Sequence, residues 1–150
     1  MIMLSRQSIE QALKEAMRSN DEVARRTLRM ILSAIKLAEV EKGASLDETA
    51  LVAVLQKELK SRRESIADAE KANRPDLAEA AKAEIAVIES FLPKQLTLEE
   101  LEQIAREAIL EANATTPADM GKVMKILMPK VQGRAAGDQV SQMVRKLLQG

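Results

Sequence analysis

The sequence predicts an all-α protein: an N-terminal helical domain with a long helical hairpin, followed by a small three-helix C-terminal domain. Composition is the first ground for this. The chain has 5 glycines and one aromatic residue in 150 positions, and Ala, Leu, Glu, Lys, Arg, Gln and Met, which lose little side-chain freedom in a helix, dominate. The second is periodicity, because apolar residues recur three and four apart through most of the chain. Punctuation is the third: Ser, Thr, Asp, Gly and Pro fall where those periodic runs begin and end.

Ser5 is placed to cap a first helix carrying Ile9, Leu13, Ala16 and Met17 on one face, and the run Ser19-Asn20-Asp21 breaks it, so that Asp21 starts a second. The second presents Leu28, Ile31, Leu32, Ile35 and Ala38 and stops at Gly43, the expected left-handed residue past a helix end. Asp47 opens a long helix bearing Leu51, Leu55, Leu59, Ile66 and Ala69, which ends near ANRP. Pro75 then suits the first position of a helix with Leu77, Ala81, Ile85, Ile88 and Leu92. At roughly 25 residues the first arm of this hairpin would be about 38 Å long, enough to project from a bundle of this size. The stretch LPKQLT at 92–97 marks a boundary, because Pro93 ends a helix and Thr97 with Glu100 forms a capping box for the next. Domains 1–93 and 94–150 follow. The second is expected to hold helices over about 98–112, 117–131 and 138–149.

Composition also excludes chemistry. The chain has no cysteine and no histidine, which removes zinc sites built on those ligands, cysteine nucleophiles and His-dependent triads. Glutamate pairs such as Glu99 and Glu100 lack an adjacent nucleophile and read as surface charge, so no catalytic residue, cofactor or metal is expected. With 23 basic and 23 acidic residues the net charge is zero, so an ionic partner must be met locally. In the C-terminal domain that balance is polarised: residues 97–116 hold five glutamates and one arginine, whereas 117–150 hold six Lys or Arg against Asp119 and Asp138. The start of the chain, MIMLSRQSIEQ, lacks the apolar region and cleavage site of a secretory signal, and no apolar run approaches a membrane span. The absence of thiols suits a reducing compartment. A cytoplasmic location without membrane contact is the resulting expectation.

Residues 120–137, MGKVMKILMPKVQGRAAG, place Met120, Val123, Met124, Leu127, Met128 and Val131 on one helical face, with Lys122 and Lys125 opposite. The methionine face reads as core, with an adaptable peptide groove as its alternative. The two glycines around Arg134 read either as a helix C-cap or as a phosphate seat, in which backbone N–H groups and the guanidinium converge on an anion. Farther upstream, QKELKSRRES offers Lys57, Lys60, Arg62 and Arg63, interleaved with Glu58 and Glu64, as secondary candidates, although charges at this spacing usually form a solvated, self-paired face.

The runs LRMILSAIKLAEVEKG, VLQKELKSRRESIADAEKANRPDLAEAAKAEIAVIESFLPKQL and ADMGKVMKILMPKVQGRAAG resemble the GatB/YqeY family in its free-standing, YqeY-like form. The C-terminal part is also similar to the tail of the B subunit of the tRNA-dependent amidotransferase, through Gly121, Val123, Met124, Lys125, Gly133, Ala135, Val140 and Leu147. The resemblance implies a tail that grips tRNA. Backbone contacts would come from Lys122, Lys125, Lys130, Arg134, Arg145 and Lys146, recognising shape and charge rather than bases. The scarcity of aromatic residues fits, since single-strand readers need stacking platforms. The other reading is a protein adaptor docking on an aminoacyl-tRNA synthetase or amidotransferase. The family's label of glutamine-dependent carbon–nitrogen ligase ranks last, because the amidotransferase's catalytic machinery lies outside this module. Two positions depart from the family: Gln132 stands where lysine is common, and Ala136 where aspartate is, leaving the N-cap of the last helix to Gly137 or Asp138.

Overall fold

The computed structural model describes residues 4–149; Met1, Ile2 and Met3, part of the stretch read above for a secretory signal, lie outside the described residues. Those residues form seven α-helices and one 3₁₀ turn with no strand among them, so the protein is all-α. They divide into one compact unit that ends at Pro93 and another that begins at Lys94.

In the first unit, α1 (Arg6–Arg18) starts at a reciprocal box in which Ser8 N–H donates to Ser5 Oγ and Ser5 N–H to Ser8 Oγ, both at 3.0 Å. Asp21 caps α2 (Glu22–Lys42) by accepting from Ala24 N–H, and Gly43 ends it at φ +75°, a left-handed conformation that glycine takes without Cβ strain. Asp47 caps α3 (Glu48–Lys71), and Pro75 opens α4 (Pro75–Glu89). Ile9, Leu28, Ile31, Ile35, Leu55, Leu59 and Ile88 are fully buried in the core these four helices share. Toward the tip of the α3–α4 hairpin the buried positions are the small residues Ala69, Ala78 and Ala81. Met17 and Leu77, both assigned above to inward faces, are exposed.

The second unit is a three-helix bundle of α5 (Leu98–Glu111), α6 (Met120–Val131) and α7 (Gly137–Gln149). Each helix contributes a buried apolar triplet: Leu101, Ala105 and Ala108; Val123, Leu127 and Val131; Val140, Val144 and Leu148. Of the capping box expected at Thr97, the structure shows one arm, Glu100 N–H donating to Thr97 Oγ1 at 3.1 Å. The helix expected over 117–131 begins instead as a 3₁₀ turn, Pro117–Asp119. The Asp119 carboxylate accepts from Thr115 N–H at 3.0 Å and Thr116 N–H at 3.4 Å, which folds the chain back tightly before α6 starts. At α7, Ala136 occupies the cap, its carbonyl accepting from Val140 N–H. The cap thus falls to neither Gly137 nor Asp138, both of which stand in the first turn of the helix, where the Asp138 carboxylate accepts from Gln139 N–H.

Candidate nucleic-acid interface

The methionine-rich helix α6 divides its faces sharply. Val123, Leu127 and Val131 are fully buried, while Met120, Met124 and Met128 pack half-buried along the edge of the same core. The stripe is therefore a packing face, with methionine filling the margin where its flexible chain adapts best. Lys122, Lys125 and Pro129 lie on the opposite, exposed face. Lys122 is the more compensated of the two lysines, with its Nζ 4.0 Å from Asp119 Oδ1. Asp119 itself is held below the ordinary carboxylate range by the N–H groups of Thr115 and Thr116, with Lys122 adding to the effect.

The remaining cations are dispersed. Lys130 pairs with Glu111 of α5 at 3.1 Å, and on α7 exposed Lys146 lies opposite Val140, Val144 and Leu148 while exposed Arg145 lies on the flank of that stripe. Among the described residues no ion pair holds Lys125, Arg145 or Lys146. A lysine or arginine in that condition carries little of the folding free energy.

Arg134 stands differently. Gln132 (φ −56°, ψ 126°) and Gly133 (φ +78°) form a type II turn closed by Arg134 N–H donating to Val131 O at 2.9 Å. Ala135 N–H donates to the same carbonyl at 3.2 Å, so these two amides face the end of α6 rather than an anion. The turn is also stitched to the segment before α5. Leu96 N–H donates to Arg134 O at 2.9 Å, Gln95 Nε2 to Gly133 O at 2.8 Å, and Arg134 Nε to Lys94 O at 3.2 Å. This Gly-Arg turn works first as the clasp that closes the bundle.

Of the secondary candidates on α3, Lys57 and Lys60 are exposed and Arg63 is half-buried. Their neighbour Arg62, read above with them as part of a solvated face, is instead buried, at only 5% exposed. Its Nη1 pairs with Glu58, its Nε donates to Glu84 Oε2 at 3.1 Å, and its Nη2 lies 3.4 Å from Met30 Sδ. Arg26 binds the other oxygen of Glu84, at 3.2 Å. The signal was available, since Leu55, Leu59, Arg62, Ile66 and Ala69 repeat at four, three, four and three. No group of three or more acidic side chains among the described residues could hold a metal ion, and no helix among them is long and apolar enough to cross a membrane.

Comparison with known proteins matches residues 6–148 to the family model described as Yqey-like protein. Among curated relatives, the protein named altered inheritance of mitochondria protein 41, mitochondrial, from Pyrenophora tritici-repentis is 30% identical over 139 residues, covering 91% of this chain and 76% of the relative. Proteins of the same name from Lachancea thermotolerans and Kluyveromyces lactis are 37% and 38% identical over 86 and 85 residues, 57% and 56% of this chain. This chain spans 46% of the length of each of those two relatives. These names overturn the cytoplasmic expectation. It rested on the lack of a secretory signal and of a membrane span, and neither feature separates one aqueous compartment from another.

Proposed function

The chain belongs to the YqeY-like (GatB/YqeY) family, and on that premise we propose that it is a non-catalytic module whose C-terminal bundle binds the tRNA backbone by shape and charge. One observation carries the reading: Lys122 and Lys125 share the outer face of α6, away from a core that is apolar throughout, so the fold does not depend on their charge. Exposed Arg145 and Lys146 on α7 would add contacts, and Lys130 would do so after leaving Glu111. Arg134 positions the turn and contributes only its remaining donors.

Each phosphate contact releases condensed counterions, so affinity for unfractionated tRNA should fall steeply with salt. The test is titration of the whole protein with tRNA at graded salt, beside a charge-matched DNA duplex. Lys122→Ala with Lys125→Ala should weaken tRNA binding and flatten the logarithmic salt slope by about one for each phosphate that is no longer neutralised. Folding stability should stay within about 0.5 kcal/mol. Unchanged affinity and slope in this variant would reject the reading and leave a protein adaptor as the function to pursue. Arg134→Lys does not isolate a phosphate contact, because it also alters the donor on Lys94 O.

A further inference from the structure

The second helix of the N-terminal unit carries two apolar stripes, and only one of them is buried. Leu28, Ile31 and Ile35 face the core, whereas Met30, Leu37 and Val40 are 46%, 61% and 71% exposed. With exposed Ser33 they repeat at three, four and three, the spacing of a seam that receives a partner helix. Over these positions the seam is about 16 Å long, matching a partner of about three turns. Arg62 braces it from beneath through Met30 Sδ, and Arg26, held by Glu84, closes its N-terminal end.

Charge decides what can cover this seam. Residues 23–38 contain Arg25, Arg26, Arg29 and Lys36 and no carboxylate; at the C-terminal end of the seam Glu39 is paired with Arg6 at 2.7 Å, and exposed Glu41 lies on the flank opposite Lys36. Arg29 and Lys36, both exposed, precede Met30 and Leu37 and so flank the seam on one side. A second copy fits badly: an antiparallel pairing sets Arg29 against the copy's Lys36, and a parallel one stacks Arg26 on its own equivalent, with only Lys36 beside the copy's Glu41 in compensation. Phosphates gain nothing from exposed Leu37 and Val40. A helix with apolar residues at the same spacing and carboxylates beside them satisfies both the stripe and the cations.

We infer that the outer face of α2 docks an acidic amphipathic helix of another protein, with Met30, Leu37 and Val40 receiving its apolar side chains and Arg29 and Lys36 its carboxylates. This surface lies in the N-terminal unit and does not rest on the tRNA reading. The probe is a fluorescent synthetic helix with leucines at the seam spacing and glutamates at the flanking positions, compared with the same peptide carrying lysines there.

The whole protein should bind the glutamate peptide at least about ten-fold tighter than the lysine peptide, a preference of about 1.4 kcal/mol. Leu37→Asp should abolish that preference by removing binding, while circular dichroism shows an intact fold, since Leu37 is exposed. Arg29→Glu with Lys36→Glu should invert it, and Lys122→Ala with Lys125→Ala should leave it unchanged. Equal binding of the two peptides, or failure of the double reversal to invert the preference, would overturn the inference. So would a dimer of the whole protein that Leu37→Asp dissociates, or Leu37-dependent binding to phosphatidylserine vesicles without peptide binding.

Discussion

Two bundles in one chain treat their charged side chains in opposite ways. Every buried polar or charged residue among those described, Thr27, Gln56 and Arg62, lies in the N-terminal unit. There Arg62 ties α3 to itself through Glu58 and to α4 through Glu84, and Arg26 extends the network to α2. The C-terminal unit buries only apolar side chains and holds its helices by the three triplets and by the clasp at Gly133 and Arg134. Burial therefore decides what a cation does. An enclosed guanidinium with two carboxylates fixes which helix lies beside which, whereas an exposed lysine remains available to a partner.

The largest effect is expected where this contrast is broken at its most buried point. Arg62→Ala leaves Glu58 and Glu84 without their shared cation and should destabilise the N-terminal unit by about 3 kcal/mol, the lower end for a broken buried pair because both carboxylates keep some solvent contact. Arg62→Met with Glu58→Gln should recover part of that loss, since fewer charges are then left unpaired. Urea unfolding of the three proteins would decide, and a loss below about 1 kcal/mol for Arg62→Ala would mean that the network is only surface decoration.

In the apolar unit the equivalent break is a cavity. Leu127→Ala should cost about 2 to 5 kcal/mol, whereas Met124→Ala, at the half-buried margin of the same core, should cost clearly less. Thermal melts followed by circular dichroism would rank the two. Equal losses would show that the methionine margin is as tightly packed as the centre.

Much of this fold was legible because helix ends are local chemistry. Ser5, Asp21 and Asp47 act as caps, Gly43 as a left-handed stop and Pro75 as a first residue, each through neighbours within a few positions. What escaped depends on residues distant in sequence. Arg62 lies in a charge-rich stretch that reads as solvated, and its main partner Glu84 sits on the other arm of the hairpin. Arg134 reads as part of a C-cap or a phosphate seat, and the clasp it makes through Nε to Lys94 O, forty positions earlier, is invisible locally. Of the candidate interface, the two-faced character of α6 was legible from periodicity. Which cations are engaged was not: Lys130 meets Glu111, and Lys125 meets no carboxylate among the described residues, only because of how three helices come together. The exposed seam of α2 left its own trace in a second apolar stripe and an acid-free run, hidden by the stronger core stripe on the same helix.

The smallest expected effect concerns Asp119, where structural and available charge meet. Its carboxylate organises the turn before α6 through Thr115 and Thr116 and sits 4.0 Å from Lys122, a candidate phosphate contact. Because those N–H groups hold its folded-state acidity below the ordinary value, Asp119 adds stability that is present above the unfolded pKa and lost as pH falls through the folded one. Asp119→Asn should therefore melt slightly below the wild type at neutral pH, and the gap should close in acid once the native carboxyl is protonated. Amide exchange at Thr115 and Thr116 should quicken in the variant at neutral pH. Removing the negative charge beside Lys122 should at the same time strengthen tRNA binding modestly, in the direction opposite to the stability change. A gap in melting temperature that persists unchanged into strong acid would show that the side chain acts through shape rather than charge. Weaker tRNA binding by Asp119→Asn would mean that the geometry of the turn matters more to the cation face than the charge it offsets.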